Sequence, residues 1–321
     1  MVSVSLIKAT SYNVETLEQQ IRDLLAPLGG MAAYVKPGQR VLLKPNLLTG
    51  SRPTKECTTR PEVVYCVAKL VQEVGGKPFL GDSPAFGSAY GVAKANGLLK
   101  WAQKLDLPIV ELHGQRYNLE QQKADNDFDN LLLSKEAMEA DVVINLPKIK
   151  SHVQLTLTMG VKNLFGCVPG KMKAWWHMEA GKDRQRFAQM LVETAQAIDP
   201  DLTILDGIIG HEGNGPSGGE PRQLGVLGAS PNVYALDRAM VDVLQVAPSQ
   251  IPTVAASQRL GLCPENIEFV LQSPSELSIE NWQFPKKLMP IDFGMPRVMK
   301  STFKHLYIRF IQEPMAAYAN R

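Results

Sequence analysis

The chain of 321 residues carries 34 basic and 32 acidic side chains, and its net charge of +2 gives no general attraction for nucleic acid. Its 45% hydrophobic and 21% charged residues are typical of a folded globular protein and exclude a disordered chain. The four cysteines form no C-x-x-C pair and supply no iron–sulfur cluster motif, and no apolar run is long enough to span a bilayer. We therefore expect a cytoplasmic protein.

Strands and helices alternate over the first 272 residues. Short apolar runs predict strands, and apolar side chains at three- and four-residue spacing predict helices. The predicted strands cover residues 2–7, 41–43, 78–80, 109–112, 142–146, 202–205, 224–227 and 267–271. The predicted helices cover residues 14–25, 61–71, 90–105, 184–198 and 232–246, and the third is predicted to break at Gly97. This alternation predicts an α/β fold with a largely parallel sheet and helices on both faces, and two Rossmann-like lobes are an alternative arrangement.

The C-terminal part of the chain differs from this α/β domain of residues 1–272. Residues 273–296 contain four prolines and little periodicity, which predicts a linker. Residues 297–321 predict a basic amphipathic helix. Its apolar side chains at one-face spacing are Phe303, Leu306, Tyr307, Phe310 and Ile311. Such a helix either packs back on its own domain or docks on a membrane surface or a protein partner, and the sequence leaves these alternatives open.

A stretch of alternating polar residues follows the apolar run of the fifth predicted strand. In an extended chain alternate side chains share a face, so Lys148, Lys150 and His152 would lie together. Lys162 and Asn163 follow a little later, ahead of two glycines. A solvated face of an edge strand would show the same alternation. The apolar run before it and the mixture of ammonium and imidazole groups favour a binding site instead.

Other polar residues come directly after predicted strands, where open α/β sheets bind their ligands. They are Lys44, Asn46, Asp82, Ser83 and Asp206. With the lysines of the alternating stretch they would form one rim, whose positive charge predicts an anionic ligand bearing a phosphate or a carboxylate. In this hypothesis Lys150, Asp82 and His152 carry catalysis and the other rim residues bind the ligand. His152 would transfer the proton because the pKa of histidine lies near neutrality.

The glycine-rich segment 207–219 supplies Gly213 and Gly215 as further ligand-binding candidates, because successive amides can form an anion-binding concavity. Residues 213–218 match G-x-G-x-x-G by letters, but no strand end and helix start frame them, so a dinucleotide site is disfavoured. His211 and His177 are candidate ligands for a divalent metal. No two histidines have the i, i+4 spacing of a helical metal site.

Seven motifs, in order, resemble those of the domain of unknown function family 362. They are KPNLL, TRPEVV, GDSP, LPKIKSH, GVKNLFGCVPG, DGIIGHEGNGPSGG and ALDRAMVD. The resemblance extends over residues 1–272 and implies an intracellular α/β domain. Some members of that family carry a ferredoxin-like segment with cysteine runs for a [4Fe–4S] cluster. This chain has no such run, so cluster binding is not implied and any link to redox chemistry is indirect.

Two hypotheses about function follow from the sequence. The first is an enzyme that acts on an anionic small molecule, with a redox pathway as the setting that the resemblance suggests. The second is a non-catalytic protein that binds a ligand or a metal and docks on a membrane or a partner through its C-terminal helix. The sequence leaves the substrate, the reaction, the cofactor and the oligomeric state open.

Overall fold

The structure is a computed structural model that describes residues 1–117, 132–170, 173, 183–291, 303 and 305–318. A mixed, mostly parallel sheet of ten strands runs through these residues, and a two-stranded ribbon is separate from it. The predicted α/β class with a largely parallel sheet is therefore confirmed. The ten strands form one continuous sheet, so the described residues are not divided into two sheets of separate lobes.

The order of the strands decides which chain segments meet at the rim of the sheet. The strands are β1 (Val2–Lys8), β2 (Arg40–Pro45), β3 (Lys77–Asp82), β4 (Ile109–Glu111), β5 (Gly114–Arg116), β6 (Leu132–Ser134), β7 (Val142–Leu146), β8 (Lys148–His152), β9 (Thr156–Thr158), β10 (Leu202–Glu212), β11 (Glu220–Ser230) and β12 (Ile267–Phe269). The order across the sheet is β12-β1-β11-β10-β7-β2-β3-β4, with β8 paired to β10 and to β9. Because β3, β2 and β7 are parallel neighbours, their carboxyl ends lie side by side.

The helices begin and end where local chemistry favours it. They are α1 (Val14–Leu25), α2 (Met31–Tyr34), α3 (Pro61–Glu73), α4 (Ala89–Ala95), α5 (Leu98–Lys104), α6 (Lys135–Met138), α7 (Gly160–Leu164), α8 (Arg184–Ile198), α9 (Val233–Val243), α10 (Pro252–Arg259) and α11 (Glu313–Tyr318). Asn13 and Asn232 cap α1 and α9 with their side chains, and Pro61 occupies the first turn of α3. The break predicted at Gly97 separates α4 from α5, because Gly97 adopts a φ of 83° between them.

Both faces of the sheet are covered by helices. Along β2 the side chains alternate: Val41 and Leu43 join the cluster under α1 and α3, and Leu42 joins the cluster under α7 and α8. A third cluster packs α9 against β1 and β11. Since apolar side chains fill both faces, the rim at the strand ends is where polar groups of several strands can gather.

The segment after β12 runs along the domain. Leu277, Trp282 and Ile291 in this segment are buried. The division into a domain, a linker and a C-terminal helix stays a prediction. Residues 305–318 are helical, with a π-helical segment at Ile308–Gln312. Among the residues that the structure describes, no helix combines the length and the apolar character needed to cross a bilayer.

Candidate functional site

The ends of β2 and β3 place a buried ion pair at the rim. Lys44 Nζ lies 2.9 Å from Asp82 Oδ1, and the two side chains are 0% and 5% exposed. Asp82 Oδ2 accepts a hydrogen bond from the Leu47 backbone N–H at 2.7 Å, and Oδ1 accepts one from the Ser83 N–H at 2.8 Å. Because a lone charge in the interior is costly, the carboxylate and the ammonium group need each other here.

Asn163 on α7 joins the ion pair to the neighbouring strand and to the chain after β2. Its Nδ2 donates to the Lys44 carbonyl at 3.0 Å and to Asn145 Oδ1 at 2.8 Å. Its Oδ1 accepts a hydrogen bond from Asn46 Nδ2 at 2.9 Å. The two asparagines that the sequence singled out, Asn46 and Asn163, are therefore in direct contact.

Asp237 on α9 holds the start of α7 in place. Its carboxylate accepts the backbone N–H groups of Gly160 at 2.7 Å and Val161 at 3.0 Å. Burial raises the pKa of Asp237 to about 7, and the two N–H groups oppose this rise. A Cβ on Gly160 would lie 2.9 Å from Asp237 Oδ1, so only glycine permits this close approach. Asp237 thereby positions the helix that carries Lys162 and Asn163.

Lys150 on β8 is a buried ammonium group with neutral partners. Its Nζ donates to Asn46 Oδ1 at 2.6 Å and to the Cys57 carbonyl at 2.8 Å, and the residue is 3% exposed. No carboxylate of a described residue lies within 4.0 Å of this Nζ. Burial lowers the pKa of Lys150 to about 8. Desolvating an ammonium group whose acceptors among the described residues are all neutral costs free energy.

Lys162 and Lys173 add two more ammonium groups without a described carboxylate partner. Lys162 is partly exposed, and its Nζ lies 4.5 Å from the centre of the Phe165 ring. Burial and the neighbouring ammonium groups lower its pKa to about 7. Lys173 donates to the Ser83 carbonyl, and burial lowers its pKa to about 8. The region around the ammonium groups of Lys150, Lys162 and Lys173, called the pocket below, is therefore strongly electropositive.

Lys148 differs from these three lysines because carboxylates surround it. Its Nζ lies 2.8 Å from Glu56 Oε2 and 3.0 Å from Asp206 Oδ2, and it donates to the Tyr12 hydroxyl at 2.9 Å. Tyr12 in turn donates to Asp206 Oδ1 at 2.6 Å. Arg60 adds its guanidinium, with Nε 3.4 Å from Glu56 Oε1. Arg60 also lies 3.8 Å from Glu62, so three carboxylates face the two cations of this network.

Gly166 lets the loop after α7 lie directly on the Lys44–Asp82 pair. A Cβ at this position would overlap Asp82 Oδ1 and would lie 2.5 Å from Lys44 Nζ. The same loop is tied to Ser83, whose N–H donates to the Gly166 carbonyl at 3.2 Å. The Ser83 hydroxyl accepts the N–H of Gly170 at 3.0 Å. Ser83 thus contacts the pocket wall through both its backbone and its side chain.

The predicted histidine His152 lies at the end of β8, in the hairpin with β9. It is partly exposed, and its Nδ1 accepts the backbone N–H of Gln154 at 3.1 Å. This places one ring nitrogen in the turn of the hairpin. The role of His152 in proton transfer stays a prediction.

The glycine-rich segment forms the end of β10, which extends to Glu212, and the turn of residues 213–219 that leads into β11. The N–H groups of Gly213 and Gly215 donate to the carbonyls of Gln283 and Gly213. His211 is buried, and its Nε2 accepts the Gly219 N–H at 3.0 Å. Burial, reinforced by the charge of Lys150, lowers the pKa of His211. These amides and this imidazole nitrogen therefore already have partners within the protein.

The metal hypothesis rests on few side chains. Within the described ranges, no group of three or more His, Cys, Asp or Glu side chains is arranged to hold a metal ion. His177, one of the two predicted ligands, lies outside the described residues.

Sequence reasoning missed several members of the site. Tyr12 and Glu56, which accept hydrogen bonds from Lys148, are 136 and 92 residues away from it along the chain. Nothing in the local pattern connects such distant residues. Asp237 and Gly166 do occur in two of the seven family motifs, which was the signal that could have identified them.

Comparisons with known proteins identify the family of this chain. A model of the family called Domain of unknown function (DUF362) matches residues 41–242. The "Thylakoid-associated protein sll1697" of Synechocystis sp. is 65% identical over 99% of both chains. The structure of the lactate racemase apoprotein from Thermoanaerobacterium thermosaccharolyticum is similar with a TM-score of 0.41 and 13% sequence identity. The similarity covers 64% of this chain and 50% of that chain. Because the family model matches more than half of the chain, the chain belongs to the DUF362 family.

Proposed function

We propose that the protein binds an anionic small molecule, bearing a phosphate or a carboxylate, in the pocket between the ends of β2, β3 and β8. One observation carries this proposal: the ammonium groups of Lys150 and Lys173 are the charged neighbours of Lys162, and none of the three has a carboxylate partner among the described residues. Desolvating a cation costs free energy that an anion in the pocket would offset. Asn46 and Ser83 are partly exposed at the same place and would orient the ligand.

The pocket also suits acid–base chemistry, which supports an enzyme. A general base works best when its pKa lies near the operating pH. The amines of Lys150 and Lys162 meet this condition, with pKa values of about 8 and about 7. His152 remains a second candidate for proton transfer. The substrate is then an anion from which, or to which, a proton moves.

The anion proposal predicts that Lys150→Met weakens binding at least about tenfold, since a hydrogen bond to a charged group contributes roughly 1.5–3 kcal/mol. Phosphorylated and carboxylated metabolites would first be screened by thermal shift, and the affinity of each hit measured by calorimetry. The exposed lysine variant Lys100→Met is the matched control and should bind like the wild type. If Lys150→Met binds every hit as tightly as the wild type, this pocket is not the binding site.

A second property, peripheral attachment to a membrane, is supported by the C-terminal helix. Its exposed apolar side chains are Phe303, Tyr307, Phe310, Ile311 and Met315. Basic residues occur in the same segment, at Lys300, Lys304 and Arg309, and would favour an anionic lipid surface. The Synechocystis relative is called thylakoid-associated, and we extend that location to this chain as a proposal.

The helix is held on the domain by its opposite side, which leaves the apolar face outward. Glu313 accepts hydrogen bonds from the backbone N–H of Ser88 at 2.9 Å and from its hydroxyl at 2.7 Å. Arg309 Nη1 lies 3.6 Å from Glu111 Oε2. Both predicted behaviours of the helix are thus compatible: one side contacts its own domain and the other is available to lipid.

Membrane attachment predicts that the double substitution Phe303→Ser and Phe310→Ser lowers binding to vesicles at least about tenfold, because burying one such ring is worth roughly 1.5–3 kcal/mol. Co-sedimentation with vesicles of phosphatidylglycerol and phosphatidylcholine would measure it. Leu271→Ser removes an exposed apolar side chain outside the helix and is the control. Equal sedimentation of the double variant and the wild type would refute attachment through this face.

A further inference from the structure

Among the described residues, Lys162 differs from the other lysines of the pocket in having no hydrogen-bond acceptor or carboxylate for its ammonium group. Its ammonium group lies over the face of the Phe165 ring, 4.5 Å from the ring centre. Lys44 is paired with Asp82, Lys150 has two oxygen acceptors, and Lys173 has the Ser83 carbonyl. Within the described part of the chain, Lys162 is therefore the amine of this cluster that is not tied to an oxygen atom of the protein.

The groups around Lys162 favour its neutral form. Lys173, Lys150 and Lys44 are the charged neighbours that repel a proton on it, and Asp82 is the one carboxylate that attracts it. Burial is the largest effect, and together these groups lower the pKa of Lys162 to about 7. About half of such amines are neutral at pH 7, compared with roughly one in 2500 for an ordinary lysine of pKa 10.4. Desolvation and neighbouring cations are the means by which enzymes make lysine a nucleophile.

We propose that Lys162 is a nucleophile that forms an imine with an aldehyde or ketone bearing a phosphate or carboxylate group. The inference rests on the anion site proposed above, since the remaining ammonium groups would hold the charged end of this molecule. The partly exposed Lys162 lies at the accessible side of the pocket, and Lys150 is buried deeper. The carbonyl carbon would therefore face Lys162 while the anion binds further in.

The reaction balances without a further reactant. The neutral amine attacks the carbonyl carbon, the C–N bond forms, and the carbonyl π electrons move to oxygen, which takes a proton. The carbinolamine then loses its hydroxyl as water and one proton from nitrogen, leaving the imine. Its nitrogen, once protonated, withdraws electrons from the neighbouring carbon and so favours loss of a proton there.

Reductive trapping tests this proposal directly. Full-length protein would be treated with pyridoxal 5′-phosphate, an aldehyde that carries a phosphate, and then with sodium borohydride, which reduces an imine to a stable secondary amine. Peptide mass mapping of the wild type should place the adduct on Lys162. Pyridoxal, which lacks the phosphate, should label this lysine at least tenfold more slowly, and inorganic phosphate should compete with labelling. Lys162→Arg should lose the adduct and Lys100→Arg should keep it.

The pH dependence and the site of the adduct decide the outcome. Labelling of Lys162 should rise through pH 7 and level off near pH 8, whereas labelling of an ordinary lysine should keep rising toward about pH 10. Binding of inorganic phosphate, measured without aldehyde or reductant, tests the anion site separately. If phosphate binds but the adduct lies on other lysines, the imine proposal is wrong and the anion site stands. If the adduct lies on Lys162 with the stated pH profile, the imine proposal holds.

Discussion

Lys148→Met will destabilise the protein by about 3–5 kcal/mol, the cost of removing one partner from a buried ion pair. Lys148 is fully buried between the carboxylates of Glu56 and Asp206. Without its ammonium group these two carboxylates face each other with only the Arg60 guanidinium nearby to offset them. Burial already raises the pKa of Glu56, so Glu56 is the carboxylate that would take up a proton first.

Lys150→Met, two residues along the same strand, will be neutral or stabilising in the ligand-free protein. The substitution removes a buried cation that has no carboxylate partner among the described residues, and a methionine of similar length refills its space. Two identical substitutions on one strand should thus change stability in opposite directions. Urea unfolding in a buffer without phosphate or carboxylate would measure both. If Lys150→Met costs as much as Lys148→Met, Lys150 has a structural role and the anion site loses its main support.

The same pair of variants should differ in their dependence on pH. The folded-state pKa of Lys150 is about 8, below the unfolded value of about 10.4, so the unfolded chain binds more protons between these values. Stability of the wild type should therefore rise as the pH increases from 8 to 10, by up to about 3 kcal/mol from this group. Lys150→Met should remove the share of this rise that comes from Lys150 and keep the shares of Lys162 and Lys173, whose pKa values of about 7 and about 8 are also lowered. Lys148→Met should keep all three shares.

Asp82→Asn will be the second severe change, with an expected loss of about 3–5 kcal/mol, because it leaves Lys44 charged and alone in the interior. The amide is isosteric with the carboxylate and still offers one oxygen to the N–H of Leu47 or Ser83. The loss of stability in Asp82→Asn would therefore measure mainly the effect of removing the negative charge of Asp82. Anion binding should weaken as well, since the loop at Gly166 rests on this ion pair.

The double variant Lys44→Met with Asp82→Asn separates the charge from the packing. Removing both charges leaves no isolated ion, so the double variant should recover at least about 1 kcal/mol relative to Asp82→Asn alone. Denaturant unfolding of the wild type, both single variants and the double variant completes the cycle. Additive losses in this cycle would mean that Lys44 and Asp82 do not stabilise each other, contrary to their 2.9 Å separation.

The alternation of apolar runs along the chain was sufficient to predict the α/β class. Val41 to Leu43 form the centre of β2, and the polar residues after it lie at the rim, where the parallel neighbours β3 and β7 also end. The reason is local: alternate side chains of a strand face opposite sides, so a run buried on both sides must be apolar throughout. The strands predicted over 202–205 and 224–227 are shorter than β10 and β11, which have 11 residues each. Glycines and polar residues in both strands interrupt the apolar runs on which the prediction depends.

What the sequence by itself determined is therefore the class of fold, the family motifs and which polar residues follow strand ends. Only the tertiary structure decided which charges are compensated. Lys148 and Lys150 look equivalent in an alternating strand, yet one meets Glu56 and Asp206 and the other meets neutral oxygens. Electrostatic energy depends on distances between atoms far apart in the chain, and no local period encodes them. The same is true of Lys162, whose position over the Phe165 ring and among other ammonium groups exists only in the folded chain.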